Sequence, residues 1–190
     1  MTNAHVFDGG FRDPPIDAAF AFRAAMTAMA HPGERQTITG TTAPDPLGEA
    51  AGTLIATLCD PETGIYLAGE LDTEAVRGWI TFHTGAPFVG AADADFALGT
   101  WNALMPVNQF KIGTPEYPDR SATLIIVSDA WAPENAVLRG PGIKSERRAW
   151  FPDPAAAAAN SSLYPLGFDC FIACGAEITA LPRSTKITEV

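Results

Sequence analysis

The sequence predicts an α/β fold, a single domain with a central mixed β-sheet flanked by helices on both faces. Three observations lead there. Of the 190 residues, 47% are hydrophobic and 18% charged, a balance that buries a core and does not leave the chain disordered. Segments of helical and strand periodicity alternate early and the chain ends on strands, an order that sheet-and-helix layers satisfy. No repeat and no linker divides the chain, so one domain over 1–190 is expected, with 1–13 as a flexible N-terminal arm.

Asp13-Pro14-Pro15 opens the first helix, because proline in a first turn gives up an N–H that would be unpaired anyway. Ala19, Phe22, Met26 and Met29 recur at helical spacing and read as its core stripe, with Asp17, Arg23 and Thr27 turned away. His31-Pro32-Gly33 stops it. A short strand is expected over 35–39, a Pro/Gly loop over 41–48, and an alanine- and leucine-rich helix over 49–59 that ends before Asp60-Pro61. Residues 64–68 read as a strand, Asp72 as the N-cap of a short helix reaching Arg77, and 79–84 as a strand ended by Gly85-Ala86-Pro87. A strand over 93–98 and a short helix over 100–108 follow, then an exposed loop over 109–121 carrying Pro115 and Pro118. The β-branched run 122–127 reads as a strand covered on both faces. Residues 136–139 form a short strand broken by Gly140-Pro141-Gly142, and 153–162 an alanine-dominated helix. Residues 169–174 and 177–181 pair as a hairpin around Gly175-Ala176.

Composition excludes several function classes. A net charge of −10 argues against a nucleic-acid partner, since a phosphate backbone repels such a chain. The densest basic cluster, Lys144, Arg147 and Arg148 interrupted by Glu146, reads as a solvated loop or helix end. No stretch reaches the roughly 18 apolar residues of a membrane span, and Met1–Asp13, with Asp8, Arg12 and Asp13, is neither signal peptide nor anchor. No membrane partner and a cytoplasmic location are expected. Cys59, Cys170 and Cys174 are too few, and odd in number, for a disulfide scaffold. Along an extended strand Cys170 and Cys174 lie about 13 Å apart, beyond the roughly 7 Å a disulfide spans, so they read as core cysteines.

The generic catalytic signatures are missing: no Gly-x-Ser-x-Gly elbow, no Walker-type loop, no Gly-x-Gly-x-x-Gly fingerprint. His5, His31 and His83 lack ligand spacing, so no metal is expected. His83 closes the strand expected over 79–84. It reads as a histidine that bonds the turn and fixes the strand end, with an acid, base or phosphate donor as the alternative. Arg183, followed by Ser184 and Thr185, reads either as a phosphate ligand or as a surface or interface ion pair. Its place beyond the Leu181-Pro182 turn predicts an exposed side chain that matters more to function than to folding. Gly140-Pro141-Gly142 would let backbone N–H groups approach an anion, but Pro141 has none to offer, which favours a plain tight turn.

Six local strings occur in the order of one family. Phe22–Gly33 resembles the opening helix of the PhnH family, Thr57–Thr63 its Leu-x-Asp-x-x-Thr turn, and Phe82–Pro87 its Phe-His-Thr segment. Arg139–Ile143 is similar to its glycine turn, and Pro165–Asp169 and Leu181–Thr185 to its closing signature. The resemblance implies a fold like the large domain of pyridoxal-phosphate (PLP) transferases without their cofactor. It also implies a homodimer, and membership of the carbon–phosphorus lyase core complex with PhnG-, PhnI- and PhnJ-type subunits. In that system PhnI, helped by PhnG, PhnH and PhnL, replaces the adenine of ATP with an alkylphosphonate to give a ribose 1-phosphonate 5-triphosphate. The resemblance supplies no catalytic triad; the matching positions His83, Asp169 and Arg183 are the site candidates. Two other readings compete: a self-sufficient enzyme acting on small phosphorylated metabolites through His83 and Arg183, and a binding protein that presents a nucleotide or phosphonate to a partner.

The lysines bear on the cofactor independently. A pyridoxal enzyme needs a lysine for its Schiff base, and only Lys111, Lys144 and Lys186 exist, none in a segment that reads as a buried strand end. No cofactor is therefore expected. The purified protein mixed with pyridoxal phosphate should give no stable internal-aldimine absorbance band. A band abolished by substituting one of the three lysines would refute this.

Overall fold

The protein is described by a computed structural model over residues 8–190; His5 and the part of the expected flexible arm before Asp8 lie outside the described residues. A six-stranded sheet runs in the order β1 (Gln36–Thr37), β8 (Glu177–Leu181), β7 (Asp169–Cys174), β4 (Thr123–Val127), β3 (Phe96–Gly99), β2 (Ile65–Leu67). Strands β2, β3, β4 and β7 are parallel, β8 runs antiparallel beside β7, and β1 antiparallel beside β8. The sheet is therefore mixed, as expected, with the hairpin β7–β8 where the sequence places it.

Alternation along the parallel strands builds two cores. Leu98, Ile125, Phe171 and Ala173 face one side, under helices α1 (Pro14–Ala30), α2 (Glu49–Leu58) and α3 (Glu74–Thr84). Ala97, Leu124, Ile126, Cys170 and Ile172 face the other. That side is covered by α4 (Trp101–Leu104), α5 (Pro154–Ser161) and a three-stranded sheet ordered β6 (Arg147–Ala149), β5 (Ala136–Arg139), β9 (Lys186–Glu189). Burial on both faces is why 122–127 reads as an unbroken apolar run.

Four expectations change. Residues 79–84 are not a strand but the second half of α3. Thr73, not Asp72, is its N-cap: the Thr73 hydroxyl accepts from the Val76 N–H at 3.1 Å. Val76, Trp79 and Ile80 are its buried face, at i, i+3 and i+4, and Gly85 closes it in the left-handed conformation (φ 70°). The basic cluster is a loop only in part: Lys144 lies in the exposed loop before β6, but Arg147 and Arg148 lie in β6, where Arg147 donates to the Pro32 carbonyl at 2.8 Å and pairs with Glu34. Strand β9 follows the Leu181–Thr185 segment and pairs antiparallel with β5.

The fourth change is the largest. The buried residues of α1 are Ala21, Ala25 and Ala28, while Phe22 and Met26 of the expected core stripe point outward. The helix packs on β8, β1 and α2 through these alanines, with Ala24 and Met29 partly buried against the same core. At its C-terminal end the Gly140-Pro141-Gly142 turn comes close: a Cβ on Gly142, which has φ +80°, would stand 1.9 Å from the Ala30 carbonyl oxygen. Cys59 and Cys170 are core residues, with burial pushing both thiols up.

Candidate functional site

A groove of about 460 Å³ opens between α1 and the sheet. Phe22, Met26 and Met29 form one wall; Phe96, Thr123 and Asp169, the first residues of β3, β4 and β7, form the floor. Leu58, Gly142, Pro182 and Ser184 complete it. Five of the six strings singled out in the sequence contribute to this one place: the opening helix, the end of α2, the glycine turn and both closing segments. The groove lies under the amino ends of the parallel strands, opposite the carboxyl ends where open α/β sheets usually hold ligands. Its surface is chiefly apolar, and no lysine, arginine or histidine lines it.

Asp169 and Arg183 are brought together at the groove's edge. The Arg183 side chain is only 16% exposed, which corrects the expectation of an exposed residue. Its backbone N–H and its Nε–H donate to Asp169 Oδ1 at 2.8 and 3.2 Å, and Nη2 donates to Oδ2 at 2.6 Å. Nη1 donates to the Pro118 carbonyl at 2.6 Å. The guanidinium thus knots the start of β7, the turn after β8 and the 109–121 loop into one unit, the geometry in which arginine bonds are strongest. That loop is tied a second time where Lys111 pairs with Asp95 at 2.6 Å, and Asp95 also accepts from the Gly64 N–H at 2.8 Å.

His83 is elsewhere. It stands in the last turn of α3, its ring 4.7 Å from that of Trp79, with Nε2 3.3 Å from the Asp8 carbonyl, which also accepts from Trp79 Nε1 at 3.1 Å. Gly10 passes so close that a Cβ there would meet the imidazole at 2.5 Å. Histidine and tryptophan together hold residues 8–10 against α3. The Leu-x-Asp-x-x-Thr string is likewise a local turn. Asp60 Oδ1 accepts from the Thr63 hydroxyl at 2.7 Å and the Glu62 N–H at 2.9 Å, bonds that hold its carboxyl below the usual range.

The outward face of α1 is what the sequence reading missed. Ile16 (53% exposed), Phe20 (66%), Phe22 (49%) and Met26 (53%) all face solvent. The signal was present, because over Pro14–Ala30 only Asp17, Arg23 and Thr27 are polar. A helix apolar all round is one that is buried on every side. Two clefts at the carboxyl ends of the strands, of about 340 and 320 Å³, both border Asp129 and carry no lysine or arginine. Among the described residues no three His, Cys, Asp or Glu side chains come together to hold a metal ion. Among the described residues no helix is long and apolar enough to cross a membrane.

Fold and groove together define an α/β protein with an exposed apolar helix face and, among the described residues, a groove whose lining offers no cationic side chain to a phosphate. Comparison with known proteins places it: the chain belongs to the PhnH family, described as a bacterial phosphonate metabolism protein, which matches residues 9–188. It is 36% identical over 193 residues to the alpha-D-ribose 1-methylphosphonate 5-triphosphate synthase subunit PhnH of Rhizobium meliloti (strain 1021), covering 97% of this chain and 96% of that one. It is also 28% identical over 176 residues, 88% of this chain and 84% of the other, to the putative C-P lyase subunit protein HtxG of Stutzerimonas stutzeri.

The Asp169–Arg183 knot should matter to stability. Asp169→Asn leaves a largely buried guanidinium without its counter-charge and weakens charge-assisted bonds, at a cost of about 1–3 kcal/mol. Urea denaturation should show a lower midpoint with an unchanged slope; an unchanged midpoint would show that the pair is dispensable for folding.

Proposed function

We propose that this chain is a non-autonomous subunit of the carbon–phosphorus lyase system, acting in the assembly that converts ATP and methylphosphonate into alpha-D-ribose 1-methylphosphonate 5-triphosphate. The observation that carries this reading is the apolar outer face of α1. Fully burying an Ile, Phe or Met side chain contributes about 1.5–3 kcal/mol. Four such side chains left about half exposed on one helix hold back several kcal/mol that only a partner releases. Family membership and the roles for which the two relatives are named support the same conclusion.

The chemistry points the same way. In that reaction a phosphonate oxygen bonds to the ribose C1′, the C1′–N bond breaks and adenine leaves with a proton. A triphosphate must be held throughout, a task for clustered cations and a metal ion. This chain has a net charge of −10, and the arginine beside its groove already serves Asp169 and Pro118. In this reading Asp169 and Arg183 position the groove wall, and His83 anchors the N-terminal segment. The other parts of the proposal are a homodimer, PhnG-, PhnI- and PhnJ-type partners, a cytoplasmic location and a fold similar to the large domain of PLP-dependent transferases without PLP. The parallel core strands under flanking helices support the last of these.

An adenine-release assay with Mg–ATP and methylphosphonate tests the reading. The purified chain should be inert, and turnover should appear with the PhnI-type partner and fall when this chain is omitted. Turnover by the chain alone, lost in a His83→Ala variant, would overturn the proposal in favour of a self-sufficient enzyme.

A further inference from the structure

We infer that the crevice at the carboxyl ends of β3 and β4 docks an extended segment of a partner protein through an arginine side chain. The inference rests on the subunit reading above and adds a contact separate from the face of α1. Two clefts make up the crevice. The first, of about 340 Å³, is lined by Trp101, Asp129 and Trp150. The second, of about 400 Å³, shares Trp101 with it and runs on to Glu189. No lysine, arginine or histidine lines either. Trp101 is only 8% exposed, and its indole N–H has no acceptor among the described residues. The only side-chain groups sealed from solvent without a partner there are the Thr179 and Thr185 hydroxyls. The Trp101 N–H therefore opens on the crevice that its ring lines. Asp129 and Glu189 are exposed, and among the described residues neither takes part in an ion pair.

The chain holds a filled version of the same arrangement next to this crevice. Arg35 lies over the Trp131 ring at 4.5 Å, and Trp131 Nε1 donates to Glu177 at 2.9 Å. Trp131 meets Trp150 edge to face, with ring centroids 6.2 Å apart. Trp150 lines the first cleft together with Asp129, and among the described residues no guanidinium lies over its ring. The occupant follows from these groups. Two carboxylates repel an anion and, with the tryptophan rings, attract a cation. The Trp101 N–H calls for an acceptor, which an ammonium or guanidinium group lacks and a peptide carbonyl supplies. Cation and carbonyl in one ligand describe a polypeptide. Arginine suits the place better than lysine, because a flat guanidinium stacks on tryptophan and forks onto a carboxylate. A second copy of this chain, itself at a net charge of −10, is repelled at longer range, whereas a basic partner is drawn in.

Two-dimensional NMR of the full-length ¹⁵N-labelled chain tests this, read at its four tryptophan indole N–H signals. The probe is the capped peptide acetyl-Ala-Ala-Arg-Ala-Ala-amide. The Trp101 and Trp150 signals should shift saturably, while that of Trp79, buried under α3, stays put. The counterpart peptide with glutamate in place of arginine should shift none of them. Asp129→Asn should raise the dissociation constant by at least about fivefold, with an unchanged circular dichroism spectrum. Absence of a saturable shift, or equal affinity in Asp129→Asn, would overturn the inference. So would equally tight binding of free argininamide, which would mark a site for a small organic cation. In the adenine-release assay with the partner subunits, Asp129→Arg should raise the amount of this chain needed for half-maximal turnover by about tenfold. An unchanged requirement would overturn the crevice as a docking site and leave the subunit reading standing. Turnover that does not depend on the wild-type chain at all would overturn both.

Discussion

The closeness of α1 to the sheet is the constraint from which most of the remaining structure follows. The fully buried residues of the helix are Ala21, Ala25 and Ala28, with Ala24 and Met29 partly buried beside them, and the turn at its end approaches so tightly that Gly142 has no room for a Cβ. A helix seated this deep gains little from what it buries, since each alanine contributes a single methyl, about 0.8 kcal/mol. Its large side chains have nowhere to go but outward and sideways. Those that go sideways, Phe22, Met26 and Met29, wall the groove. Those that go outward, Ile16 and Phe20, make a surface that water does not stabilise. The same geometry that closes the core thus produces the features that call for a partner.

The groove depends on a second element, the ionic knot at its edge. Arg183 joins the first residue of β7, the turn after β8 and the 109–121 loop, three segments far apart in sequence. Because most of its donors are taken up in this joint, the guanidinium acts as a fastener more than as a hand held out to an anion. His83 plays a comparable part at the far end of α3, holding residues 8–10. Two of the three side chains that attracted chemical interest in the sequence therefore serve as joints in the fold, and the third, Asp169, is the counter-charge of one of them.

Much of the fold was legible because the core strands state their environment plainly. The run Thr123–Val127 and the hairpin around Gly175-Ala176 are buried on both faces and flanked by turn residues, so length and composition locate them. Residues 79–84 misled because Ile80, Thr81 and Phe82 favour strands locally, while the helical face Val76–Trp79–Ile80 is completed only by residues before that stretch. Strand β6 was hidden by its arginines, whose chains run along the surface while one head group bonds Pro32 and Glu34. Strand β9 is exposed at three of its four positions and shows no clear alternation. The site was legible only as separate strings. Nothing within Phe22–Gly33, Arg139–Ile143 or Leu181–Thr185 states that they meet, since the topology alone brings them together. The orientation of α1 was misread because its few polar residues, Asp17, Arg23 and Thr27, left large apolar and small apolar side chains competing for the core side, and size favoured Phe22 and Met26 over the alanines that are buried.

If this chain works only within an assembly, the outer face of α1 is covered there. Hydroxyl-radical footprinting read by mass spectrometry measures this directly, because Phe20, Phe22 and Met26 are reactive side chains that a single isolated chain leaves about half exposed. In the assembled complex these three residues should be protected relative to the isolated chain at high dilution, while exposed residues away from α1, such as Tyr117, react equally in both. Labelling of Phe20 and Met26 in the complex as fast as in the dilute chain would contradict the account.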